Sequence, residues 1–193
     1  RLMSRYQFRR FIEAGATRIA MMDIAWTGGI SEAKKIATLA SAHQLPVTPH
    51  DCIGPVNMFA AAAICRGSVT VTNCGLNPTR TAILDHLKAI GCKVNIDGRQ
   101  LISREWRGIV TVDGGPLKSR KIGGERTVEL IDEIPVVAVM AAFAEGTTVI
   151  RNAAELRVKE SDRLAVLADN LGRMGVKCGL LEDGLAVEGR KEL

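Results

Sequence analysis

Five of the seven residues from Arg157 to Arg163 are charged, with both signs present, inside the stretch "ELRVKESDRL" (Glu155–Leu164). Lys and Arg fixed close together offer charge-assisted donors to a phosphate or carboxylate. Such a set suits the handling of an anionic substrate. The plain reading is a solvated helix start whose exposed ion pairs contribute little. Asp132-Glu133 in "IDEIP" reads by itself as an acidic helix start, favourable with the dipole. A third set is Asp23 and His50, each just past a strand-like stretch.

The elements that must position these groups include an internal repeat. "FAAAAICRGSVTVTN" (Phe59–Asn73) aligns with "AVMAAFAEGTTVIRN" (Ala138–Asn152) at an offset of 79 residues. Each copy reads as a small-residue helix, a Gly where the helix stops (Gly67, Gly146), and a β-branched strand ending in Asn. Asn77 and Pro78 suit N-cap and N1 of a helix that runs to Gly91. Ser161 is the expected cap of the matching helix, which runs to Gly175. Strand-like "CKVNID" and "VKCGLL" follow, and Asp97-Gly98 and Asp183-Gly184 read as hairpin turns. The second copy carries about five extra residues in and around "AELRVKES". A loop insertion of that kind changes without disturbing the core and is often where function sits. The link between copies holds a further strand candidate, Ile109–Val112, and a Gly/Lys/Arg-rich loop.

Residues 1–55 stand outside the repeat. Ser4 suits the cap of a helix ending at Gly15. Arg18–Met22 reads as a buried strand, Ser31–Gln44 as an amphipathic helix with Ser31 as N-cap, and Leu45–His50 as a second strand. This is a β-α-β unit, as in parallel sheets and barrels. Asp23 and His50 then fall just past the C-terminal ends of two strands, the rim where a β/α barrel places its chemistry.

Bulk properties bound the rest. The chain has 193 residues, 47% apolar and 24% charged, an ordinary globular balance. No apolar run is long enough to span a membrane and no secretory signal is evident. The net charge of +5 fits anionic small molecules. Nucleic acid is the weaker partner, because the basic residues are scattered and only four Phe, one Tyr and two Trp can stack on bases. The five cysteines (Cys52, Cys65, Cys74, Cys92, Cys178) show no metal-type spacing. A cytoplasmic chain with reduced thiols is expected. Cys74 and Cys178 read as small apolar residues and His86 as a solvated position on a helix. The chain begins at Arg1 rather than Met, which suggests upstream sequence. The residues set no oligomeric state.

Two family resemblances follow. "MMDIAWTGGISEAKKIATLASAHQLPVTPHDCIGP" (Met21–Pro55) resembles the late barrel strands of the enolase superfamily, mandelate racemase branch. That resemblance implies that Asp23 orients His50, a general base or acid acting on the α-proton of an acid sugar or other carboxylate. It also implies a Mg²⁺ on three carboxylates from earlier strands, which this chain does not contain.

From about Phe59 onward, "GSVTVTNCGLNPTRTAILDHLKAIG" (Gly67–Gly91), "IDEIPVVAVMAAFAEGTTVIRN" (Ile131–Asn152) and "ELRVKESDRL" resemble the 5-enolpyruvylshikimate-3-phosphate synthase family. The family's fold has two domains, each of three βαβαββ units. The resemblance implies transfer of the enolpyruvyl group of phosphoenolpyruvate to the 5-hydroxyl of shikimate 3-phosphate, in aromatic amino-acid biosynthesis, with no metal or organic cofactor. By that match Asp132 is the base for the substrate hydroxyl, Glu160 exchanges a proton with the phosphoenolpyruvate methylene, Lys159 lies near the reacting oxygen and phosphoenolpyruvate, and Arg163 binds phosphoenolpyruvate. Arg157 and Asp162 read as supporting structure, and Arg80 as supporting structure ahead of a phosphate contact.

The expected architecture is α/β: a partial (β/α) barrel segment over residues 1–55, then an enolpyruvyl-transferase-like domain over 56–193 with two βαβαββ repeat units, 56 to about 124 and about 125 to 193. The repeats should pack helices inside and sheets outside. The whole reads as a chimera joined near residues 52–66. The four matched residues make about half of a two-domain site, so no turnover is expected from this chain alone. An enolase-superfamily dehydratase or racemase, and a remnant without catalysis, are the other readings.

Overall fold

The structure, a computed structural model, describes residues 4–23, 27, 30–50, 54–102, 104–159 and 161–189, with only the backbone of Ile30 and of Thr48, Pro49 and His50. It divides into two compact units, Arg1–Gly54 and Pro55–Leu193.

In the first unit, helix α1 (Arg5–Glu13) is followed by strand β1 (Ala20–Asp23), helix α2 (Ile30–Ala42) and strand β2 (Val47–His50). The two strands pair in parallel from Ala20↔Val47 to Asp23↔His50. Both helices turn an apolar stripe inward, with Phe8, Ile12, Ala33, Ile36 and Ala40 buried against Ala20 and Met22. Ser4 occupies the N-cap of α1 without a side-chain capping bond. Helix α2 opens one residue before Ser31, which therefore lies inside the helix rather than capping it. A carboxylate of α2 ties the unit together: Glu32 accepts from the Arg5 backbone at 3.0 Å and from its guanidinium at 3.2 Å.

The second unit holds both repeats. The first copy runs α3 (Pro55–Ile64), β3 (Ser68–Gly75), α4 (Ala82–Ile90), β4 (Lys93–Ile102) and β5 (Glu105–Asp113). The second runs β6 (Lys121–Ile122), α5 (Glu125–Glu129), α6 (Ile134–Ala141), β7 (Thr147–Ile150), α7 (Arg163–Arg173), β8 (Cys178–Leu181) and β9 (Gly184–Glu188). The first sheet has the order β3-β5-β4 and the second β6-β7-β9-β8. Strands β5 and β9 are antiparallel to both neighbours, while β6 joins β7 in parallel. The second copy is thus a complete βαβαββ unit. Among the described residues, the first sheet has no strand corresponding to β6.

The repeat extends to backbone detail. Asn73 and Asn152, the Asn that ends each matched strand segment, both adopt left-handed backbone (φ 54° and 59°), which Asn tolerates better than other residues with a side chain. Gly114 and Gly189 follow the last strand of each copy. A Cβ at Gly114 would run into the carbonyl of Ala62 on α3, and one at Gly189 into the carbonyls of Ala141 and Ala144 at the end of α6. Each copy thus brings its last strand against the helix that precedes β3 or β7, at a contact only glycine permits.

One continuous apolar core serves both copies. Phe59, Leu87, Leu130, Ile134, Met140, Ile150, Leu156, Leu164 and Leu185 are all buried in it. The strands alternate: Val110 and Val112 of β5 are buried while Ile109 and, between them, Thr111 are more exposed. Each sheet therefore has a wet outer face, and the helices lie within, as expected for this pattern. No described helix is long and apolar enough to cross a membrane.

Several local expectations change. Asp97-Gly98 is not a hairpin turn. Strand β4 passes through it to Ile102, and the register with β5 shifts between Asp97 and Gln100. The chain reverses between Ile102 and Glu105, because Leu101 and Ile102 still find partners in Trp106 and Glu105. Gly98, at φ 58°, accommodates the irregularity. Asp183-Gly184, by contrast, does lie at the β8–β9 reversal. Asn77 caps a short 3₁₀ turn (Pro78–Arg80) by accepting from the Thr79 amide, and α4 begins only at Ala82. Asp162, not Ser161, caps α7, accepting from the Ala165 amide at 3.0 Å.

His86 is buried rather than solvated, on the same face of α4 as Ile83, Leu87 and Ile90. Burial, with the positive charges of Arg126 and Arg120 adding to it, lowers its pKa to about 4. Cys74 and Cys92 are buried and Cys178 half-buried, and burial raises all three thiols. Cys52 lies outside the described residues.

Candidate active site

Asp132 sits in the turn before α6. That turn is pinned from below by Leu130 and Ile134, both fully buried, and closed by the Glu133 amide donating to the Leu130 carbonyl at 2.9 Å. The carboxylate is left half-exposed above this anchored backbone. Its neighbour Glu133 is more enclosed. Burial raises its carboxyl pKa, and the charge of Arg80 works against that rise.

The insert in the second copy forms a 3₁₀ turn (Ala154–Arg157) with Leu156 fully buried as its anchor. Arg157 then fixes the path of the chain. Its guanidinium donates to the carbonyls of Glu182 at 2.7 Å and Leu181 at 2.6 Å, and to Asp162 at 2.6 Å. Asp162 is held below the ordinary carboxylate range by the Ala165 amide and by Arg157. One residue pair thereby ties the insert to the β8–β9 hairpin and starts α7. Arg157 and Asp162 are committed to structure, as expected.

The groups between them are placed by that frame. Lys159 pairs with Glu155 at 2.8 Å, an i,i+4 contact. Its pKa is raised, first by the hydrogen bond and charge of Glu155 and further by Asp132, while Arg163 opposes. Lys159 therefore feels the charges of both Asp132 and Arg163, which come from two separate stretches of chain. Glu160 lies outside the described residues. Arg163 is the first residue of α7.

The structure adds two groups to this set. Arg80, on the 3₁₀ turn of the first copy, donates to Asp132 at 3.2 Å across a separation of 52 residues. Glu155 is the partner of Lys159. The i,i+4 spacing of Glu155 and Lys159 is visible in the sequence. Nothing local relates Arg80 to Asp132.

A fixed carboxylate facing two or three cations can receive a proton from a hydroxyl while the cations hold phosphate or carboxylate groups. Among the described residues no group of three His, Cys, Asp or Glu side chains is placed to hold a metal ion. In the first unit, Asp23 and His50 are register partners at the ends of β1 and β2. The His50 side chain lies outside the described residues.

Known proteins match the stretch of chain that holds Asp132, Lys159 and Arg163. The family model described as EPSP synthase (3-phosphoshikimate 1-carboxyvinyltransferase) matches residues 34–193, reaching back across the boundary near residue 55. A 3-phosphoshikimate 1-carboxyvinyltransferase of Thermosynechococcus vestitus is 48% identical over 147 residues, 76% of this chain and 33% of the relative. One from an Anaeromyxobacter species is 52% identical over 132 residues, 68% of this chain and 31% of the relative. The chain thus spans about a third of the length of these curated relatives. The EPSP synthase structure of Acinetobacter baumannii superposes with a TM-score of 0.68 at 34% identity, over 77% of this chain and 35% of that one. The enolpyruvyl transferase NikO of Streptomyces tendae shares the fold, with a TM-score of 0.51 at 17% identity, over 82% of this chain and 40% of that one. The sequence match and the structural match agree, and the chain belongs to the EPSP synthase (3-phosphoshikimate 1-carboxyvinyltransferase) family.

Proposed function

We propose that this chain contributes to transfer of the enolpyruvyl group from phosphoenolpyruvate to the 5-hydroxyl of shikimate 3-phosphate. The observation that carries the proposal is the family match over residues 34–193, which spans Asp132 in the turn before α6, Lys159 in the insert and Arg163 at the start of α7; Lys159 feels the charges of the other two. In this reading Asp132 takes the proton of the 5-hydroxyl as its oxygen bonds to the central carbon of phosphoenolpyruvate. Glu160 gives a proton to the methylene carbon, forming the tetrahedral adduct. It takes a proton back as the carbon–oxygen bond to phosphate breaks and phosphate leaves. Lys159 and Arg163 hold the phosphoenolpyruvate anion. The reaction needs no metal or organic cofactor. The free thiols of Cys65, Cys74, Cys92 and Cys178 support a cytoplasmic setting.

We read residues 56–193 as the transferase part and residues 1–55 as a separate barrel-derived segment. The parallel pairing of β1 with β2 fits that segment, while the family match reaches back into it as far as residue 34.

The test is a graft. Residues 56–193 replace the matching stretch of the Thermosynechococcus relative, and phosphate release from phosphoenolpyruvate is measured with and without shikimate 3-phosphate. Release that needs both substrates is expected, with a loss of about 10²-fold or more in Lys159→Ala. Release that is unchanged by Lys159→Ala and by Asp132→Ala would overturn the assignment.

A further inference from the structure

The ion pair between Arg80 and Asp132 is the one described contact that reaches the Asp132 carboxylate, and it comes from the other copy of the repeat. Arg80 is held by more than its own side chain. The Asn77 side chain accepts from both the amide and the hydroxyl of Thr79, at 3.1 and 3.0 Å. The Arg80 amide donates to the Asn77 carbonyl at 2.8 Å, and the Leu76 amide to the Trp106 carbonyl at 2.7 Å. The turn that carries Arg80 is therefore fixed both within itself and to β5. The guanidinium is a planar fork, so a fixed base gives it a directed reach that an ammonium lacks. Its bond goes to Oδ2 of Asp132. No described residue donates to Oδ1.

We propose that Arg80 is a positioning residue for Asp132: it holds Oδ2 so that Oδ1 is presented to the substrate hydroxyl. The inference rests on reading Asp132 as the proton acceptor of enolpyruvyl transfer. Its distinct content is that the first repeat, which carries none of the four matched site residues, sets the geometry of a catalytic group in the second. Arg80 also faces Glu133, where its charge opposes the effect of burial, so one cation serves two adjacent carboxylates.

The experiment has two arms. In the grafted transferase, Arg80→Ala lowers kcat about tenfold while KM for both substrates stays within about twofold, the pattern of a misaligned group rather than a lost binding contact. Arg80→Lys recovers only part of the loss. In the full chain, a double-mutant cycle of Arg80→Ala with Asp132→Ala on the unfolding equilibrium shows a coupling of about twofold, the size expected of an exposed pair. An unchanged kcat in Arg80→Ala, full recovery by lysine, or an additive cycle would each overturn the positioning role. A wild-type graft without turnover counts against the transfer reading itself, and so against any part for Arg80 in it.

Discussion

Acidification tests the burial of His86 directly. An imidazole that titrates at about 4 when folded and near 6.5 when unfolded binds its proton more weakly in the native state. Above pH 6.5 the group is neutral in both states and its contribution to stability is fully present. As pH falls below 6.5 the unfolded chain takes up a proton that the folded chain refuses, and stability is lost until the folded group titrates near 4. Linkage sets the loss at about 1.4 kcal/mol at pH 5.5 and about 2.5 kcal/mol at pH 4.5. The assay is urea unfolding followed by far-ultraviolet circular dichroism at pH 7 and pH 4.5, in the wild type and in His86→Leu. Other titrating groups act in both proteins and cancel in the difference. The variant should lose about 2.5 kcal/mol less than the wild type over that interval. Equal losses would refute the placement of His86 in the apolar face of α4, beside the like charges of Arg126 and Arg120.

Backbone contacts give two further tests. Gly114→Ala should cost about 3 kcal/mol, because the new methyl meets the Ala62 carbonyl and the Arg66 Cα, whereas Gly172→Ala, on a helix with open space around it, should stabilise by about 0.8 kcal/mol. Denaturation midpoints decide both, and equal effects of the two would show that the close approach is not real. Asn152→Ala should destabilise by about 2 kcal/mol and Asn73→Ala by about 1 kcal/mol or less. Both share left-handed backbone, but the Asn152 side chain also accepts from the Gly124 amide at 2.9 Å, while Asn73 receives only a 3.4 Å bond from Arg107. Equal losses at the two positions would remove that distinction.

The repeat was legible because its marks are local: a helix-stopping glycine, a β-branched strand, an Asn at the strand's end. The insert stood out because the second copy departs from the first there. What the sequence hid lies at longer range. Asp97-Gly98 has the composition of a tight turn, and only the pairing of Leu101 with Trp106 shows that the strand continues. His86 reads as surface by residue type. Its spacing from Ile83, Leu87 and Ile90 would have placed it on the buried face, had periodicity been given priority over polarity. Ser161 and Asp162 are both good caps by type, and the Arg157 contact favours the second. Asp132 and Lys159 were found through the family resemblance. The reach of Lys159 to Asp132 depends on how the second copy folds, and the part of Arg80 on how the two copies pack, and no short-range pattern encodes either.

The strand order also constrains how the chain assembles. In each copy the strand made last, β5 or β9, occupies an interior place in its sheet. Strands β3 and β4 run parallel and do not touch, so neither has a sheet partner until β5 enters between them. On a ribosome, a nascent chain halted at residue 104 carries two unpaired strands. One halted at residue 183 has β8 unpaired and β7 joined only to the two residues of β6. Each copy therefore closes in a single late step, and the exposed strands before that step are where a chaperone would be needed most.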